Sequence, residues 1–457
     1  MGVYSGPKYT TKELICSIDT SNVLSYAGRP TTNFLVTTAW GQANSQGRAD
    51  QRPFNATSHS SQEHSTLVRP KATPKAPPSI NTNVWRVIDS NPDGYSRFSS
   101  WTGMSVDDLG GYDVDYVASS YVLLPRNVTL HPSNTAIVYQ SSTSADWHGN
   151  WDATASAAFN ATYNYWSYNP MTATNTVREA DQSIRGKWQR IYRSFRPSLS
   201  IRNQESGVTI DKLTGYFRPA LVGQLGRNFF YVTASTIEPG RYPSKRFVQG
   251  SRPLQNAIRD LSGEGNHITL RTTTVYDEEN DDAPIYGGYS SGFITHSQSF
   301  NDMEEMTIYT WIKPVAYSTT SNSSNILLIK GWSGEGSWFL GFDNTIGSNA
   351  FRFAVNFSGT ARIVSAPISL NEWHHITCTY KKLTETMRIY HNGVLIHERD
   401  VPSAANLINS GDILVGRNTG NDPTFDGKME VLKIYREQHS PSRILKQYNT
   451  SKKRFGH

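Results

Sequence analysis

Trp373-His374-His375-Ile376-Thr377-Cys378-Thr379-Tyr380, then Met387-Arg388-Ile389-Tyr390-His391-Asn392-Gly393-Val394, reads as two neighbouring strands and the turn into a third. Apolar residues recur at every second position, the period of a strand with one face buried. Asn392-Gly393 between apolar runs is a hairpin signal, because both central residues of the tight turn take positive φ. The same texture extends upstream through Met306–Ile312, Asn325–Lys330, Trp338–Phe342 and Phe351–Val355. It continues downstream through Ile413–Gly416 and Met429–Tyr435. A single helix follows: Ser440 fits an N-cap, Pro441 the first helical position, and Ile444, Leu445 and Tyr448 the apolar face. Residues 251–457 therefore read as a β-sandwich closed by a short terminal helix.

The rest of the chain is β-rich as well. Leu14–Asp19 is an apolar strand ahead of a polar turn. Residues 33–83 are rich in Gln, Ser, Asn, Pro and Lys, with Pro70, Pro74, Pro77 and Pro78 close together, and read as an extended, irregular lead-in. From 84 to 250, strand-like runs return at Trp85–Ile88, Tyr116–Leu124, Ala136–Tyr139, Trp188–Phe195 and Phe229–Val232, separated by Gly, Pro, Asn and Asp. That region reads as a second sandwich. The fold class is all-β.

The composition suits this reading. The 457 residues include 34 Gly, 22 Pro, 24 Tyr, 18 Phe and 11 Trp, with only 18% charged, a profile of many short half-buried strands and exposed turns. The net charge of +6 is spread out apart from Lys452-Lys453-Arg454, which argues against a nucleic-acid partner. No apolar run is long enough for a membrane span, and the start lacks the pattern of a secretory signal. Cys16 and Cys378 both sit in apolar strand patterns and read as buried free thiols. A disulfide between them has no spacing rule behind it.

Residues 251–457 resemble the concanavalin A-like, laminin G-like jelly roll common in tailed-phage structural proteins. The matching residues are Leu370–Tyr380, Met387–Val394, Leu414–Arg417, Phe425–Tyr435 and the ending from Ser440-Pro441 through Ile444-Leu445 to Gly456. Such proteins usually open with a strand like Leu14–Asp19 and pass directly to an Asp-Leu-Ser-Gly-x-Gly-Asn turn, which here is Asp260–Asn266. The resemblance therefore implies one jelly roll inserted into another, with 1–32 supplying the first strand of the lectin-like domain and 84–250 the insert. The insert is similar, more loosely, to carbohydrate-binding-module-like jelly rolls at Trp188–Phe195, Gly215–Ala220 and Tyr231–Ser244.

No catalytic residue is expected. Glucanases on this fold need alternating carboxylates on one strand, and neither Asp277–Asp282 nor Asp302–Glu305 has that form. A calcium site in the first cluster, or from Asp343, Asn344, Asp422 and Asp426, is the minority reading against plain turn-forming acids. His374 and His375 alternate across a strand, so they cannot chelate one ion together, and one is expected buried and the other exposed. His59 and His64 have no cysteine near them to complete a zinc site. No metal and no cofactor is expected. Sugars stack their apolar faces on exposed aromatics, which makes Trp147, Trp151, Trp166 and Tyr168, with Trp332, Trp338 and Asn418, the candidate glycan-binding residues. The resemblance implies a non-enzymatic virion surface protein, either head decoration or tail fibre. Its expected partners are other virion proteins, host glycans and further copies of itself, with no membrane partner. A glycan-cleaving depolymerase or a secreted lectin is the alternative.

Overall fold

The structure is a computed structural model. It describes residues 13–32, 34, 65–68, 74–75, 77, 84–89, 98–105, 111, 114–126, 136–142, 176–178, 180–196, 210–217, 229–248, 251–253, 257–271, 273–279, 282–286, 292–295, 297–317, 325–331, 336–342, 350–357, 359–402, 404–416 and 425–457. The chain divides into two compact units. The first holds Met1–Arg29, Leu254–Asp277 and Asp281–His457, and the second Pro30–Pro253 with Glu278–Asn280.

The first unit is built of two antiparallel sheets. One runs in the order Val275–Tyr276, Pro284–Tyr286, Gly427–Tyr435, Glu305–Pro314, His374–Lys381, Thr386–His391, Val394–Asp400. Leu14–Asp19 joins this sheet by pairing with Gly427–Tyr435, so that Ser17 lies opposite Lys433 and Asp19 opposite Val431. The other sheet runs Ala257–Ile258, Ile268–Leu270, Gly292–Ile294, Ile413–Val415, Ile326–Lys330, Trp338–Phe342, Ala350–Phe357, Thr360–Pro367.

Period-two patterning sets the core between them. Met306, Ile308 and Ile312 on one strand, with Ile376, Cys378 and Tyr380 on its neighbour, meet Trp338, Leu340, Phe342, Phe351, Phe353 and Val355 in one buried cluster. Cys16 and Cys378 belong to that cluster as free thiols, and burial pushes both well above the ordinary thiol range. Asn392 (φ 51°) and Gly393 (φ 81°) make the expected turn.

Leu14–Asp19 is fastened by the Asp260–Asn266 turn. The Asp260 carboxylate accepts from the backbone N–H groups of Ser17 (2.7 Å), Ser262 (2.9 Å) and Asn266 (2.9 Å), and from the Ser262 hydroxyl (2.6 Å). The Asn266 amide donates to the Ile15 carbonyl at 2.6 Å and its oxygen accepts from Ser297 Oγ at 2.6 Å. Four donors converging on one carboxylate explain why this turn begins with Asp.

The terminal helix spans Pro441–Ser451, and the Ser440 hydroxyl accepts from Arg443 N as its N-cap. It covers the outer face of the first sheet through Ile444, which joins Leu14, Tyr309, Tyr390 and Tyr435. The expected apolar stripe is narrower than Ile444, Leu445 and Tyr448 together: Leu445 is 44% exposed. Phe455, beyond the helix, stacks on Trp311 at 4.1 Å and supplies the rest of the contact.

The second unit has a six-stranded sheet in the order Ser65–Val68, Trp85–Asp89, Phe229–Pro239, Tyr116–Leu123, Trp188–Phe195, Val177–Arg178. A three-stranded sheet comprises Phe98–Ser105, Ile210–Phe217 and Ala136–Ser142, and Thr31–Thr32 pairs with Ser251–Arg252. Part of the stretch expected to be irregular is thus a strand, because Ser65–Val68 finds a partner in Trp85–Asp89. No described helix is long and apolar enough to cross a membrane.

Candidate ligand-binding faces

Of the residues named from sequence for sugar binding, Trp147, Trp151, Trp166, Tyr168, Trp332 and Asn418 lie outside the described residues. Trp338 must be corrected. It is 1% exposed and belongs to the core cluster, on the same strand face as Leu340 and Phe342. Its indole fills the interior and offers no surface to a ligand.

Five described residues of the acidic clusters, Asp277, Asp282, Asp302, Glu304 and Glu305, make structural ties. Asp277 pairs with Lys428, and buried Asp282 pairs with buried Arg29 at 2.9 Å. Glu305 meets Lys381 at 2.8 Å, Glu304 meets Lys382 at 3.4 Å, and Asp302 accepts from the Asn406 amide. Asp19 and Glu430, carboxylates on neighbouring strands, both bind Arg454, at 2.9 and 2.5 Å. A glycosidase needs one carboxyl protonated and a second free to attack or to activate water, and these carboxylates are engaged by cations or amides instead. Burial raises Asp426, whose backbone carbonyl accepts from Val315 N. Asp343, Asn344, Asp422, His59 and His64 lie outside the described residues. Among the described residues no group of three or more His, Cys, Asp or Glu is arranged to hold a metal ion.

The histidine expectation also changes. His374 and His375 do point to opposite faces, yet both are buried, at 3% and 2% exposure. His375 lies under the terminal segment beside Trp311 and Tyr448. His374 is enclosed by Ser369, whose carbonyl lies 2.9 Å from Nε2, and by His391, whose Nε2 lies 3.0 Å from its Nδ1.

An outward face with binding chemistry lies on the second sheet of the first unit. Cross-strand register aligns Phe293, Leu414, Ile329, Phe339, Ala354 and Ile363 in one row across it. Phe293, Leu414, Phe339 and Ile363 are half-buried. Beside the row, the Arg352 guanidinium lies over the Phe339 ring at 4.4 Å from its centroid, a cation–π contact. Arg352 is 7% exposed, and burial draws its pKa down to about 10, so it stays charged at neutral pH. Ser365 is its cross-strand neighbour. The guanidinium covers part of the Phe339 ring, and Ile329 and Ala354 in the same row are buried, so the accessible apolar surface here comes from parts of Phe293, Leu414, Phe339 and Ile363. The signal for it is strand parity. Arg352 sits between Phe351 and Phe353, and Phe339 between Trp338 and Leu340, so when the larger apolar set faces inward these two face out.

The six-stranded sheet of the second unit has its own polar face. Tyr121 lies opposite Arg190, Ser119 opposite Tyr192, and Thr236 opposite Ser119. Arg190 sits 5.3 Å from the Tyr121 ring centroid, donates to Ser119 Oγ at 3.0 and 3.2 Å, and meets buried Glu238 at 3.4 Å. Glu238 also accepts from Thr31 Oγ1 and Ser244 N, each at 3.2 Å. A fully buried carboxylate needs such partners, so this network organises the sheet while Tyr121, Tyr192 and Tyr231 remain half-buried beside it.

A family model matches within the first unit. Residues 287–445 match the family model described as the Concanavalin A-like lectin/glucanases superfamily. This part of the chain is a concanavalin A-like, laminin G-like jelly roll. The chain is also 25% identical over 201 residues to the botulinum-like toxin eBoNT/J of Enterococcus sp. (strain 3G1_DIV0629), covering 42% of this chain and 16% of that protein. Among solved structures, the binding domain of Paraclostridial Mosquitocidal Protein 1 is 18% identical over 43% of this chain and 50% of its own, with a TM-score of 0.36. The binding domain of botulinum neurotoxin DC, in complex with rat synaptotagmin II, is 17% identical over 43% of this chain and 49% of its own, again with a TM-score of 0.36. The chain thus spans about a sixth of the curated relative and half of these solved domains.

Proposed function

We propose that this chain is a non-enzymatic surface protein of a tailed-phage particle, carried as head decoration or tail fibre. In this reading its lectin-like unit faces host glycans, other virion proteins hold it in place, and it assembles with copies of itself. The observation that carries the binding half of the reading is the row from Phe293 to Ile363, with Arg352 laid over Phe339 within it. The pairing of the acidic clusters with cations and amides supports binding without cleavage. The phage-type strand and Asp260–Asn266 turn, together with the ending from Ser440 to Gly456, support the virion half. The 201-residue match to a toxin favours a second reading, the receptor-binding part of a larger toxin-like protein. Glycan recognition is common to both. Locating the chain on a phage particle by cryo-electron microscopy separates them.

The binding half is tested on a glycan array with the intact chain. Phe339→Ala and Arg352→Ala are each expected to weaken the best glycan at least about tenfold, the loss of one stacked ring or one charged donor set. Far-ultraviolet circular dichroism should stay unchanged. Full binding by both variants would remove this face from consideration.

A further inference from the structure

Imidazoles stand at both ends of the terminal segment. Tyr448 packs against His375 at 5.7 Å and stacks on Trp311 at 6.0 Å, and Trp311 Nε1 donates to Ser451 Oγ at 2.9 Å. Phe455 lies between Trp311 and Trp373, and the ring of His457, whose Nε2 lies 2.7 Å from the Trp373 carbonyl, stands 5.6 Å from Trp311. At the other end of the segment, His439 Nδ1 lies 2.6 Å from the Tyr309 hydroxyl. On the opposite face of the same two strands, His374 and His391 share one hydrogen bond at 3.0 Å. A bond between two imidazole nitrogens needs one donor and one acceptor, so it cannot survive protonation of both rings.

We propose that residues 439–457 form an acid-releasable cover over the aromatic outer face of the first sheet, held by the neutral forms of His375 and His439, with the His374–His391 pair bracing the strand ends beneath it from the other face. The inference stands independently of glycan recognition. Release would uncover Trp311, Tyr309, Tyr390 and Tyr435, an apolar surface available only after acidification.

Burial sets the direction of each shift, and the surrounding charges modify it. Burial holds the His375 pKa down to about 3, helped by Lys433 two strands away and by His391 on the adjacent strand. His391 faces His374 and His457, and burial with these neighbours takes it to about 4. His374 is lowered by burial and by His457 against the opposing pull of the Ser369 carbonyl and Glu372. His439 is lowered to about 4 by burial and Arg443, against Glu437, with Tyr309 and Tyr435 as its ring neighbours. Each folded value lies below the ordinary imidazole value of about 6.5. The stabilisation is therefore complete above about pH 6.5 and is lost as the pH falls toward the folded values. The Arg454 bridge to Asp19 and Glu430 is a separate, charge-based tie between the segment and the sheet.

Amide hydrogen exchange of the intact chain tests the proposal. Between about pH 7.5 and about pH 4.5, amides of 443–455 should lose at least about tenfold protection, after correction for intrinsic rates, while those of Ile326–Lys330 keep theirs. Return to neutral pH should restore the cover. His391→Gln and His439→Gln, which keep a neutral polar group, should each lower the release midpoint by about half a pH unit or more. Cover and core losing protection together, a cover that stays protected throughout the range, or midpoints unmoved in both variants would each overturn the proposal. The first two outcomes need no variant to fold.

Discussion

Trp338→Ala is expected to lower the stability of the lectin-like unit by about 3–5 kcal/mol, the usual cost of emptying a large aromatic site in a packed core. The residue is 1% exposed and shares its face of the strand with Leu340 and Phe342, also in the core. Its loss leaves a cavity bordered by strands that the sheet hydrogen bonds prevent from collapsing. Urea unfolding followed by the near-ultraviolet signal measures the effect, with the transition of the first unit fitted separately from that of the second. Trp338→Phe should recover much of the loss. Any fall in glycan affinity should match the fraction unfolded. A stability change under about 1 kcal/mol together with a selective loss of sugar binding would place the indole at a ligand surface instead.

Asp260→Ala is expected to cost about 3–5 kcal/mol, because several donors converging on one carboxylate lose their acceptor at once and those that are buried cannot turn to water. The backbone N–H groups of Ser17 and Asn266 are the ones left stranded. Ser17 belongs to the first strand, so the damage should fall on the seam between that strand and Gly427–Tyr435. Exchange of amides in Leu14–Asp19 should accelerate well ahead of those in His374–Lys381. Asp260→Asn keeps acceptor oxygen but no charge and should fall between the two. Equal acceleration across both strands would mean the turn supports the whole unit and not the seam.

Much of this architecture could be read from residues alone. Strands with one face in the core carry their parity openly, as in Phe351-Arg352-Phe353 or Met306-Thr307-Ile308, and Asn392-Gly393 marks its own turn. Leu14–Asp19 was traceable through the resemblance to phage jelly rolls, in which such a strand leads to an Asp-Leu-Ser-Gly-x-Gly-Asn turn, here Asp260–Asn266. What escaped was set by distant segments. Strand alternation says that His374 and His375 diverge, but not that a segment ending at His457 covers one face and the Ser369–Glu372 turn encloses the other. Leu445 looked inward because the helical stripe was drawn one residue too wide, while Phe455, outside the helix, completes the contact.

Candidate ligand residues were less legible still. Trp338 and Phe339 are adjacent and equally aromatic, and only the direction of the core decides which one faces out. The aromatic loops around Trp147, Trp166 and Trp332, where sugar chemistry was expected, fall outside the described residues.

The reading as a binding protein and not a cleaving one meets its sharpest trial when the intact chain is incubated with purified host surface polysaccharide. Bound fraction and polymer length are then followed in the same sample. Saturable binding is predicted, at affinities from about micromolar to about millimolar, with the polymer length distribution unchanged after prolonged incubation. Progressive shortening of the polymer, abolished by a single carboxylate substitution, would contradict it.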